Sequence, residues 1–177
     1  MATFQPIHFI PKHREPQILS LSIQNIITGP HYQDAGTNHW CFYLETRQNT
    51  FIQLDCLPSY SIPSTILPGG SKANLIISEL ETTVSPDIQA RFVLGVPPSQ
   101  NTTVKNLLDI LVENGRHKYE FDFKGVGCRY RVTDQVELLY QNGLVVDRAQ
   151  IETVKAAIVK LWPEKSPLEL DRGAYYQ

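Results

Sequence analysis

The chain reads as an α+β protein with an antiparallel sheet of about six strands and about three helices packed on one face. Apolar and polar residues alternate with period two through much of the first half, and apolar stripes of helical spacing take over in the second. That segregation favours an antiparallel sheet over alternating strand–helix–strand units.

Taken in order, residues 1–18 hold prolines at 6, 11 and 16 and read as an extended arm. A single α+β domain over 19–163 and a polar, loosely ordered tail over 164–177 follow. Leu19, Leu21 and Ile23 alternate with Ser20, Ser22 and Gln24, a strand running to Ile27. Thr28 to Thr37 is a loop by its glycines and proline. Trp40 to Glu45 and Phe51 to Cys56 form a hairpin around the polar turn Thr46 to Thr50. Pro58 to Gly70 reads as a loop, and Leu75 to Glu81 and Gln89 to Gly95 as two more strands joined through Ser85-Pro86-Asp87.

Thr102 or Thr103 caps a helix with the stripe Val104, Leu107, Leu108, Leu111 and Val112, stopped by Asn114-Gly115. Tyr119, Phe121 and Phe123 alternate with Glu120, Asp122 and Lys124 as a half-buried strand. A helix beginning at Cys128 carries Val132, Val136, Leu139 and Tyr140 to Asn142-Gly143. Asp147 with Gln150 makes a capping box for a last helix striped by Ile151, Val154, Ile158 and Leu161 and closed by Pro163. In the tail, Tyr175 and Tyr176 are available to dock.

The bulk composition narrows the function by exclusion. A net charge of −2 over 177 residues leaves no electrostatic footprint for nucleic acid or an anionic membrane. The apolar runs are too short to span a bilayer, the N-terminus has no signal-peptide pattern, and three cysteines argue against a disulfide framework. The expectation is a cytoplasmic protein acting on a small molecule, with neither nucleic acid nor membrane as partner. No CxxC or HxxxH spacing announces a metal, and Gly125-Val126-Gly127 lacks the third glycine of a dinucleotide fingerprint, so no metal and no cofactor is expected.

The most definite chemistry lies in Lys124-Gly125-Val126-Gly127-Cys128-Arg129-Tyr130. A thiol opening a helix feels the positive end of the macrodipole, and a neighbouring cation such as Arg129 acts in the same direction; both favour thiolate. The glycines let a substrate approach the main chain, and first-turn amides can stabilise an oxyanion. His39, at the start of the Trp40 strand, is the best-placed base. Gln53 and Asp55 share one face of the returning strand, so either can orient the imidazole, depending on hairpin register; Asn38 is a further option. Trp40, Tyr43, Gly127, Arg129 and Tyr130 are the candidate substrate contacts. The competing reading makes Cys128 a packed core thiol, since free cysteine is among the most buried residue types. Cys41 and Cys56 lie in strands and read as packing residues.

Two resemblances add to this. His39-Trp40, Phe42-Tyr43-Leu44, Gln53-Leu54-Asp55, Tyr119-x-Phe121 and Gly125-x-Gly127-Cys128-Arg129 together resemble an uncharacterised family of small fungal proteins, over residues 20–162. That resemblance implies a fungal cytosolic protein, encoded beside secondary-metabolism genes. The order histidine, polar residue on the next strand, then cysteine at a helix start is more loosely similar to circularly permuted papain-like thiol hydrolases and acyltransferases. By that likeness His39 is the base, Gln53 the orienting residue and Cys128 the nucleophile. The leading expectation is acyl transfer or hydrolysis on an amide, ester or thioester. A cofactor-free cyclase or isomerase with an aromatic pocket, and a non-catalytic binding protein, are the alternatives.

Overall fold

The computed structural model describes residues 4–34, 36–81 and 84–177. Their elements in chain order are β1 (Ile7–Ile10), α1 (Glu15–Ser20), β2 (Ile23–His31), β3 (His39–Thr46), β4 (Phe51–Pro63), β5 (Ser71–Leu80), β6 (Phe92–Gly95), α2 (Val104–Glu113), β7 (Tyr119–Phe121), α3 (Cys128–Gln141), α4 (Arg148–Ile158), β8 (Lys160–Leu161), β9 (Ser166–Pro167) and β10 (Ala174–Tyr175). The main sheet runs β10-β7-β5-β4-β3-β2-β6 with antiparallel neighbours throughout. β1 joins β5 as the one parallel pairing in that sheet among the described residues. The fold is thus α+β, as its sequence pattern predicts.

One core cluster explains why the helices gather on a single face. Trp40, Phe42 and Leu44 of β3 and Ile52, Leu54 and Cys56 of β4 point the same way, because successive strand side chains alternate. Ile18 of α1, Leu107 and Leu111 of α2, Val132 and Val136 of α3, and Ile151 and Val154 of α4 close over them. On the opposite face a smaller cluster gathers Ile27, Cys41 and Tyr43 beneath Val84. α2 starts as expected, with a capping box between Thr103 and Asn106. Asp147 caps α4, but the Gln150 side chain accepts from the Gly95 amide instead of closing a box, which ties the helix to β6.

Several local expectations are overturned. The N-terminal arm over 1–18 is structured from Ile7 onward: β1 adds to the sheet edge, and Pro16 sits in the first turn of α1, where its missing N–H costs nothing. The strand read from Leu19 begins at Ile23 and continues through Gly29 and Pro30 to His31. Pro30 fits there because its carbonyl, accepting from Gln89, and hence its nitrogen, face the side where β6 has ended. β4 runs on to Pro63, through an irregularity between Pro58 and Pro63 that carries Tyr60 at φ 55°. The polar tail is ordered: Ser166–Pro167 pairs with Lys160–Leu161, and Ala174–Tyr175 pairs with β7, packing Tyr175 on Tyr119 at 5.0 Å between ring centroids.

The alternation in β7 fails for a specific reason. Phe123 is 70 % exposed, while Glu120 is fully buried. The Glu120 carboxylate accepts from the Ser64 and Thr65 hydroxyls and from the Thr65 and Ile66 amides, so it organises the loop over 64–67. Burial opposes its charge, but these donors outweigh burial and hold the carboxyl below its ordinary range. A depressed folded pKa contributes stability above the unfolded value near 4.5 and loses it as pH falls through the folded value. Glu120→Ala is expected to cost about 1–3 kcal/mol at pH 7, with the penalty shrinking in acid, as chemical denaturation at several pH values would reveal.

Candidate active site

Hairpin register decides which residue meets His39. Tyr43 pairs with Gln53 and Phe42 with Leu54, so the same register sets Cys41 opposite Asp55. His39 is then a diagonal neighbour of Asp55, within reach of a long side chain. His39 Nε2 and Asp55 Oδ1 lie 2.7 Å apart. Gln53, two residues further along, donates instead to Cys41 Sγ at 3.5 Å. Asp55, not Gln53, therefore orients the imidazole. Asn38 is not an orienting group either. Its buried amide donates to the carbonyls of His31 and Trp162 and accepts from the Trp162 amide, fixing the chain where β3 starts.

Cys128 opens α3, whose N-cap is Gly127 at φ 141°. The Arg131 amide bonds the Gly127 carbonyl at 3.1 Å, so the amides of Cys128, Arg129 and Tyr130 precede the helical ladder and point toward the thiol's side of the helix end. The helix start reaches the end of β3: Cys128 Sγ lies 3.8 Å from the Asn38 carbonyl, His39 and Cys128 line the same cleft, and the sulfur is near enough to the ring to raise its pKa. With Nε2 engaged by Asp55, Nδ1 is the nitrogen left to serve the sulfur. Burial works against a charged imidazole, but Asp55 and Cys128 outweigh it and raise His39 to about 10. A carboxylate, an imidazolium and a thiol at a helix N-terminus thus stand in sequence.

The thiol faces a cleft of about 210 Å³, whose walls include Leu57, Pro58, Tyr60, Phe121 and Val126. Gly127 and Arg129 line it as expected, but Trp40, Tyr43 and Tyr130 lie elsewhere. Trp40 is buried on the helix face, stacked on Phe92 at 5.9 Å. Tyr43 lies on the opposite face, its hydroxyl 2.8 Å from His31 Nε2 in an adjoining hollow. Tyr130 packs beside the core under the Arg172 guanidinium. Arg129 borders the cleft, but its guanidinium is spent on the carbonyls of Ile158, Leu168 and Glu169 and lies 3.6 Å from Asp171. Tyr60, one of the aromatic residues the sequence offers to a pocket, lines the cleft; Gln33 and Asp171 also line it, and no sequence signal marked them because they come from segments distant along the chain.

The sheet also assembles a possible metal-binding trio that spacing did not announce: donor atoms of His39, Cys41 and Asp55 lie within 4.8 Å of one another. Burial, then the Asp55 charge, pushes the Cys41 thiol up to about 12, so a metal bound there would have to displace its proton. Among the described residues no helix is long and apolar enough to cross a membrane.

A family model for a domain of unknown function, DUF7770, matches residues 25–176. The chain belongs to this family. The DUF7770 domain runs from within β2 to β10 and so includes His39, Asp55 and Cys128, leaving β1 and α1 outside. No curated protein and no solved structure gives a significant match.

Because the folded His39 pKa lies above its ordinary 6.5, its pairing stabilises the fold fully below pH 6.5 and is lost as pH rises through about 10. An NMR titration of His39 is expected to give a midpoint several units above 6.5, falling in Asp55→Asn and in Cys128→Ser. Gly127→Ala would bring a Cβ to 3.0 Å from the Tyr119 hydroxyl at a φ that L side chains rarely adopt. It should cost about 1–3 kcal/mol of stability in thermal unfolding and slow alkylation of Cys128.

Proposed function

We propose that this DUF7770 protein is a cofactor-free thiol hydrolase or acyltransferase acting on a small amide, ester or thioester. The observation that carries this reading is the Asp55–His39 hydrogen bond set beside Cys128 at the start of α3. A nucleophile, a base and a group that orients the base are the parts acyl transfer requires.

In this mechanism the Cys128 thiolate attacks the substrate carbonyl carbon, forming a C–S bond. The negative charge moves to the carbonyl oxygen, where amides of the first turn of α3 receive it. As the tetrahedral species collapses, the bond to the leaving group breaks and the His39 imidazolium supplies the proton that the leaving nitrogen, oxygen or sulfur needs. His39 then takes a proton from water, or from an acceptor alcohol or amine, which attacks the thioester. Acid or transferred product departs, and thiolate and imidazolium are restored. Asp55 holds the ring and supports its charge throughout.

The order β3 histidine, β4 carboxylate and helix-opening cysteine supports kinship in design with circularly permuted papain-like enzymes, with Asp55 in the orienting place. A fungal, cytoplasmic protein of secondary metabolism, working on a small molecule without nucleic acid or membrane, is the setting we propose for it. The cyclase alternative finds less support, because Tyr60 and Phe121 alone bring aromatic rings to the cleft among its described lining.

Site-resolved alkylation with iodoacetamide, read by mass spectrometry on the native protein, is the direct test. Cys128 is expected to react first, with buried Cys41 and Cys56 silent until unfolding, and His39→Ala should slow it at pH 6 to 7. Against any ester or amide the protein turns over, Cys128→Ala should lower kcat by roughly 10³-fold or more. Full activity in Cys128→Ala would reject the nucleophile.

A further inference from the structure

His39 is shared between two spaces. On one side is the Cys128 cleft; on the other, a hollow of about 330 Å³ on the helix-free face is lined by His31, Tyr43, Gln53, Ser85 and Asp87. Gln33 also borders both. The hollow alone lies at the lower end of the roughly 300–1,000 Å³ typical of small-molecule pockets, and the cleft adjoins it at the shared residues His39 and Gln33. The thiol mechanism assigns the two sides. The atom that leaves must be protonated by His39, so the leaving group lies on the imidazole's side of the scissile bond. The acyl portion then extends the other way, over Cys128.

The two sides differ in chemistry. Beyond Cys128 the walls are Leu57, Pro58, Tyr60, Phe121 and Val126, and Tyr60, Ile66 and Phe123 present exposed apolar surface nearby. The hollow is polar. Asp87 supplies a carboxylate there, and no lysine or arginine is in the described lining. Tyr32 also lines the hollow, and its hydroxyl donates to Asp34. His31 brings no charge to offset Asp87, since burial lowers its pKa and its ring is engaged by the Tyr43 hydroxyl and the His39 carbonyl. The His39 imidazolium itself faces Asp55. A cation entering the hollow meets the Asp87 carboxylate, which has no ion-pair partner among the described residues, whereas an anion is repelled by it.

We infer that the hollow receives the leaving group, and that the substrate is an amide joining an apolar acyl group to an amine that carries a second, positively charged nitrogen. This assignment rests on the thiol acyl-transfer reading but can be tested apart from it. Three phenylacetyl amides serve as probes: of 1,4-diaminobutane (cationic), of butylamine (neutral) and of glycine (anionic).

Binding of each to the Cys128→Ala protein, which needs no turnover, would be measured by calorimetry, with the His31 ring signals followed by NMR. The diaminobutane amide should bind roughly 5-fold more tightly than the butylamide, in line with one exposed ion pair, and the glycine amide more weakly still. It should also shift the His31 signals. In a protein that also carries Asp87→Asn, the cationic preference should fall to about one. Equal binding of all three probes, preference for the anion, a preference unmoved by Asp87→Asn, or silent His31 signals would each overturn the assignment. Selective binding to Cys128→Ala without turnover by the unaltered protein would instead reject the thiol mechanism while leaving the amine site standing.

Discussion

The structure turns on the need to satisfy a buried guanidinium. Arg129 is 3 % exposed, and a charge in that position is tolerable only when its donors all find acceptors. The acceptors are the last carbonyl of α4 and two carbonyls of the C-terminal segment, with the Asp171 carboxylate nearby. Meeting them brings the segment after Pro167 back across the start of α3. The chain then continues to Gly173, whose amide donates to the Tyr119 hydroxyl while that hydroxyl donates to the Gly127 carbonyl. From the next residue β10 joins β7. One buried cation beside Cys128 thus anchors the tail, and the tail in turn braces the turn that aims the thiol.

A second constraint acts from the other side. Asn38 makes three hydrogen bonds to backbone groups, two of them to Trp162, so the chain leaving α4 is tied to the residue before His39. The imidazole is therefore fixed by covalent continuity with Asn38 and by Asp55, and the thiol by Arg129 and Tyr119. None of these four groups has to touch a substrate to matter. They set the separation of sulfur and ring, the quantity on which general-base assistance depends most steeply.

Electrostatics in the site follow from the same arrangement. Desolvation alone would discharge His39, as it does His31 one strand away. The difference between the two histidines is their partners. His31 meets a phenol and a carbonyl, which gain little from a positive ring; His39 meets a carboxylate and a sulfur, which gain much. One imidazole is held neutral and the other charged within a centroid distance of 6.1 Å.

Much of this was legible in the residues themselves. The helices α2, α3 and α4 declared themselves by stripe and cap, and so did the β3–β4 hairpin and the glycine turn ahead of Cys128, because each depends on neighbours along the chain. The placement of Cys128 was legible for the same reason: a thiol after Gly-x-Gly at a helix start is a local pattern. Glu120, Asn38 and Arg129 were not, because each satisfies a buried polar group with acceptors or donors tens of residues away. The N-terminal strand was hidden by prolines, and β1 is a strand only because the edge of β5 needs a partner. Nor could alternation choose between Gln53 and Asp55, which share a strand face. Sequence alone determined which side chains could do chemistry; the hairpin register, the sheet that brings β3 to the head of α3, and the returning tail decided which of them meet.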